Sequence, residues 1–128
     1  MVLPKKCYGV VEIRTSPSGW WEGCLNITPL VEQVPAVTGA LFDVDNIKGL
    51  KPIAARREIP EDRSFMTETL VQEMNLFYYN ATWIRPAEIK QAFNVIKTEK
   101  GWATVFKLIS DFAEQYGENN CRLIVWFS

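Results

Sequence analysis

Leu123-Ile124-Val125-Trp126-Phe127 is five apolar residues in a row, with no polar position left to face water. Side chains alternate between the two faces of a strand, so such a run is stable only where both faces are covered. It is too short for a helix of its own and rich in β-branched and aromatic types. It is therefore read, with Cys121 and Arg122, as a strand in the interior of a sheet. The other elements must supply its neighbours and its covers.

The widest apolar stripe is Trp102, Val105, Phe106, Ile109, Phe112, Ala113 and Tyr116, at helical spacing, with Lys107, Asp111 and Glu114 opposite. This helix is placed across the terminal strand, restarting at Gly101 and stopped by Gly117. Cys7 to Arg14 and Trp20 to Ile27 read as strands joined through Ser16-Pro17-Ser18-Gly19, a hairpin with a four- to five-residue loop. Val37, Ala40, Leu41 and Val44 predict a short helix over residues 36–44, ended by Asp45-Asn46. Ser64 is a cap for a helix reaching about Asn75, with Phe65, Leu70 and Met74 available for packing. Phe77 to Ile84 reads as a strand. Pro86 opens a further helix bearing Ile89, Phe93 and Ile96. The expected fold is α+β: one domain over residues 1–128, a mixed or antiparallel sheet of about four strands, and three or four helices mainly on one face.

The 128 residues carry 48% apolar and 23% charged side chains, and a net charge of −1. That balance suits a real core without disulfides or metal. It offers no general field for a polyanion, so sequence-independent nucleic-acid binding is not expected. Cys7, Cys24 and Cys121 lie in apolar runs with no C-x-x-C pair, and are read as reduced core residues. Asn26-Ile27-Thr28 and Asn80-Ala81-Thr82 match the glycosylation sequon. Met1 to Lys6 is too short for a signal peptide. No apolar run approaches the roughly 20 residues of a membrane span. A cytoplasmic protein is expected.

With no histidine in the chain, imidazole general bases and Ser-His-Asp or Cys-His systems are excluded. No Gly-rich phosphate loop is present. Three constellations remain. Asp43-Val44-Asp45-Asn46 suits Mg²⁺ with substrate phosphates, and equally a solvated helix end. Lys48, Lys51, Arg56 and Arg57 lie on the long irregular stretch from Lys48 to Asp62. Its adjacent arginines suit bidentate binding of phosphate or carboxylate, and equally pairing with Glu58, Glu61 and Asp62. Trp20, Trp21, Tyr78 and Tyr79, with Trp83, form the aromatic set. Neighbours in a strand point to opposite faces, so one of each pair is available to a partner, or else covered.

Several of these segments occur in a recognisable order. Ala40-Leu41-Phe42-Asp43-Val44 is followed by Lys51-Pro52-Ile53-Ala54-Ala55-Arg56 and then Ile59-Pro60-Glu61-Asp62. Thr82-Trp83-Ile84 precedes a helix start, and Arg122-Leu123-Ile124-Val125-Trp126-Phe127 closes the series. Over roughly residues 36–128 this succession resembles a group of small phage and prophage proteins of unknown function. Asn80-Ala81 stands where that group carries a histidine, so no histidine activity carries over. The resemblance implies a phage-encoded accessory protein acting in the host cell, and supplies no site residues.

The first expectation is thus a non-catalytic accessory protein that binds a host macromolecule or a small anionic ligand, such as a host-defence inhibitor. It needs no cofactor and no metal. One alternative is a metal-assisted enzyme on phosphates or nucleotides, using Asp43 and Asp45 with Arg56 and Arg57. The other is a structural homo-oligomer subunit.

Overall fold

The computed structural model describes residues 6–31, 41–42, 52–54, 56–74, 78–91 and 100–128. In chain order the elements are strand β1 (Cys7–Ile13), strand β2 (Glu22–Asn26), helix α1 (Thr28–Val31), helix α2 (Phe65–Glu73), strand β3 (Tyr79–Ile84), helix α3 (Pro86–Gln91), helix α4 (Lys100–Tyr116), a 3-10 turn (Glu118–Asn120) and strand β4 (Cys121–Phe127). The fold is α+β. The sheet runs β2-β1-β4-β3, with every neighbouring pair antiparallel.

The terminal run is central, as its composition demands, and every residue of β4 is buried. On one face Cys7, Val11, Leu123, Val125 and Phe127 pack with Val31, Ile89, Trp102, Val105 and Ile109. That face carries α1, α3 and α4. On the other face Val10, Ile124 and Trp126 pack with Val71 of α2 and Ala81 of β3. The second cover is what removes water from both sides of β4. No described helix is long and apolar enough to cross a membrane.

Local signals act as their chemistry dictates. Ser64 Oγ accepts from Thr67 N–H (3.2 Å) and caps α2. Gly117, at φ 99°, ends α4, and its N–H donates to Ala113 O (2.8 Å). Gly101 lies inside α4 rather than ahead of it. A Cβ there would stand 1.9 Å from Leu30 O, so only glycine lets α1 and α4 approach.

Other positions depart from expectation. β2 starts at Glu22, which leaves Trp20 and Trp21 in the connection. Val11 pairs with Leu25 and Glu12 with Gly23, so Cys24 is the extra residue of a β-bulge on an edge strand. Its thiol is exposed, which corrects the reading of all three cysteines as core; Cys7 and Cys121 are buried. Phe65 is 86% exposed rather than packed, because Met66, Thr67, Leu70 and Val71 form the inward side of α2. Leu41 and Phe42 of the expected helix over 36–44 are helical and buried. The rest of that helix, and Phe93 and Ile96, lie outside the described residues.

Candidate functional site

On the face that α2 covers, the segment from Arg56 to Arg63 runs beside β3. Glu58 N–H donates to Ala81 O (2.8 Å), and Arg57 N–H to Thr82 Oγ1 (3.1 Å). β3 itself is bulged. Tyr79 pairs with Phe127 and Thr82 with Val125, which leaves one residue extra between them. Asn80 sits in that interval at φ 51°. Arg56 and Glu58 also have left-handed backbones, at φ 52° and 68°. Among the described residues these are the only non-glycine residues with positive φ, and all three line one cleft. Its volume is about 590 Å³, and Arg63, Tyr78, Ile59 and Ala81 complete its wall.

Arg56 is exposed, and no described carboxylate pairs with it. Arg63 donates from Nε to Glu68 and from Nη1 to Pro60 O (3.2 Å). Arg57 is differently employed. Its Nη1–H donates to Glu88 Oε1 (2.7 Å) and its Nη2–H to Glu88 Oε2 (2.5 Å). Further bonds reach Trp83 O (3.3 Å) and Ile53 O (3.1 Å). The hydrogen bonds from Arg57 to Glu88 hold its carboxyl below the usual carboxylate range, against the opposite pull of burial. Arg57 thus ties the segment to β3 and α3, and only its neighbour Arg56 faces the cleft.

A smaller cavity of about 150 Å³ lies along the same segment, walled by Trp21, Pro60, Trp83, Arg85 and Arg122. Guanidinium groups stack on both indoles. Arg122 and Arg14 lie 3.9 and 4.4 Å from the Trp21 ring centroid, and Arg57 and Arg85 lie 4.7 and 5.4 Å from that of Trp83. Arg122 is neutralised by Glu12 (2.7 Å) and Asp62 (3.1 Å). The Arg85 side chain makes one hydrogen bond among the described residues, to the neutral Asn119 Oδ1 (3.3 Å). Trp21 Nε1 is buried without an acceptor among the described residues.

Behind this slot lies a polar cluster that sequence reasoning missed. Glu12, with no exposed surface, accepts from Arg122 Nε (2.8 Å), Ser64 N–H (2.7 Å) and Thr67 Oγ1 (2.7 Å). One carboxylate thereby joins the centre of the sheet to the capped end of α2. The available signal was a glutamate in the otherwise apolar Val10-Val11-Glu12-Ile13, matched by Arg122 ahead of the terminal run.

Of the expected site residues, the structure brings Arg56 and Tyr78 to one cleft and Trp21 to the slot beside it. Trp20 is 91% exposed and lines neither cavity. Lys48 and Lys51, Asp43 and Asp45, and the side chain of Tyr79 lie outside the described residues. Among the described residues no group of three or more Cys, Asp or Glu side chains is placed to hold a metal ion.

No protein-family model, curated protein or solved structure matches this chain.

Proposed function

We propose that this chain is a non-catalytic binding protein, of the phage-accessory kind, whose ligand is a small anion seated between the Arg56–Arg63 segment and β3. One observation carries the reading: three left-handed non-glycine residues converge on a single cleft that contains Arg56 and Arg63. Each such backbone costs on the order of 1–3 kcal/mol, and strain of this kind gathers at binding sites. The cleft volume falls in the range of small-molecule sites, about 300–1,000 Å³. Arg56 brings a planar fork with no carboxylate partner among the described residues, which a phosphate or carboxylate ligand would meet in bidentate fashion. Tyr78 supplies a hydroxyl in the same wall. The chain would act by occupancy, sequestering its ligand.

The test is a thermal-shift panel of inorganic phosphate, citrate and nucleoside monophosphates, followed by calorimetry. At least one anion is expected to raise Tm. Arg56→Ala should weaken its binding at least tenfold while leaving the Tm of the free protein nearly unchanged. The reading fails if no anion in the panel binds, or if Arg56→Ala binds as tightly as the parent.

A second reading, a host macromolecule as partner, is favoured by the exposed rings of Trp20 and Phe65. Exposed aromatic side chains are frequent anchors of protein interfaces. A pull-down from host lysate with the parent chain and with Trp20→Ala separates the two, since the anion cleft does not include Trp20.

A further inference from the structure

The 150 Å³ slot and the 590 Å³ cleft are neighbours. Glu58, Ile59 and Arg63 wall the cleft, and Pro60, between them in sequence, walls the slot. On β3 the cleft residue Ala81 and the slot residue Trp83 are two positions apart on the same face, and both belong to the apolar cluster beneath α2. Two residues of strand span about 6.6 Å. This is comparable to the reach from the ring of a nucleotide to its phosphate.

The two cavities differ in chemistry. The cleft has Arg56 without a described carboxylate partner, and Arg63 beside it. The slot is walled by flat groups, the indoles of Trp21 and Trp83 and the guanidiniums of Arg85 and Arg122. Indole and guanidinium planes are the surfaces on which nucleic-acid bases stack. At about 150 Å³ the slot matches a cavity known to take up one benzene ring, which suits a six-membered ring better than a fused pair. Arg85 is a donor at the slot, and the buried Trp21 Nε1–H has no acceptor among the described residues. Ring carbonyls are acceptors for the donors Arg85 has beyond its one described bond to Asn119.

We infer that the ligand is a pyrimidine nucleotide, its ring in the Trp21–Trp83 slot and its phosphate at Arg56 and Arg63. This rests on the proposal that the cleft binds an anion, and adds to it the identity of the group attached to that anion. Trp83, with Trp21, sets the selectivity for the ring, and Arg56 anchors the phosphate.

The experiment is calorimetry on the full chain with four probes: UMP, AMP, uridine and inorganic phosphate. UMP is expected to bind at least tenfold more tightly than phosphate and than AMP, with uridine weaker than UMP. Indole fluorescence should change on adding UMP and not on adding phosphate. Trp83→Leu should bring the affinity for UMP down to that for phosphate and leave phosphate binding unchanged. Arg56→Ala should weaken UMP and phosphate alike. Equal affinity for UMP and phosphate would overturn the inference and leave the anion cleft standing. AMP binding as tightly as UMP would overturn the single-ring assignment. Failure of all four probes would remove both proposals. Should Trp83→Leu not fold, the comparison of probes on the parent chain still decides.

Discussion

Glu12 and Arg122 stand opposite each other on β1 and β4, at the centre of the sheet, with Arg122 Nε 2.8 Å from a carboxylate that has no exposed surface. Every strong hydrogen bond that carboxylate accepts is internal. Removing Arg122 leaves the Glu12 charge buried without a cation, which costs about 3–5 kcal/mol, whereas Arg122 keeps Asp62 when Glu12 is removed. Arg122→Met should destabilise by about that amount in urea titration, and Glu12→Leu by less. The double variant should lose less than the sum, because neither charge is then stranded. Additive losses would show that the two residues do not act as a pair.

Trp102 is buried against the sheet in α4, and its Nε1–H has no acceptor among the described residues. Trp102→Ala should cost about 3–5 kcal/mol by opening a cavity. Trp102→Phe should cost much less, since it gives up no hydrogen bond and removes an unsatisfied donor. Denaturant midpoints of the two variants check this, and a Phe variant as unstable as the Ala variant would contradict it. Phe106 and Phe112 are only half-buried, so their truncation should be milder than that of Trp102.

The thiols should divide one to two. Cys24 is exposed, whereas burial pushes the Cys121 thiol up to about 12 and raises the Cys7 thiol as well. Since the thiolate is the reactive form, a thiol reagent at pH 8 should label one site in the native protein and three in denaturant. Labelling of Cys24→Ser at native pH would show that β1 or β4 opens.

Arg57 and Glu88 predict an acid-sensitive link. The folded pKa of Glu88 lies below its unfolded value, chiefly through the hydrogen bonds from Arg57. Its contribution is therefore complete above the ordinary glutamate value, about 4.3. It is lost as pH falls through the lower folded value. Melting curves from pH 7 to pH 2 should show a smaller acid loss in Glu88→Gln than in the parent. Arg57→Ala should lower Tm at pH 7, by about 1–3 kcal/mol of stability, where Arg56→Ala does not. Parallel acid curves for parent and variant would rule the link out.

What could be read from the chain alone follows from the range of the signal. The burial of Leu123 to Phe127, the Ser64 cap and the Gly117 stop depend on neighbours a few residues away, and they appear where their chemistry puts them. The bulges at Cys24 and in β3 depend on which residue the partner strand presents, so no local pattern announces them. Arg56 and Arg57 are the sharpest case. They are adjacent and chemically identical, yet Glu88, far along the chain, holds one while a left-handed backbone turns the other to the cleft. The slot was hidden for the same reason, because Trp21, Pro60, Trp83 and Arg122 meet only when four separate segments do.

The strand order β2-β1-β4-β3 also sets a schedule for synthesis. On the ribosome β1 can pair with β2 almost at once, but its other edge waits for β4. Glu12 and Arg122 are 110 residues apart, roughly 5–20 s of elongation at about 5–20 residues per second. Throughout that interval the nascent chain carries Val10 and Val11 on an open edge, and Glu12 without its cation. The sheet, the slot and the anchoring of α2 can be completed only when β4 emerges and takes the central place.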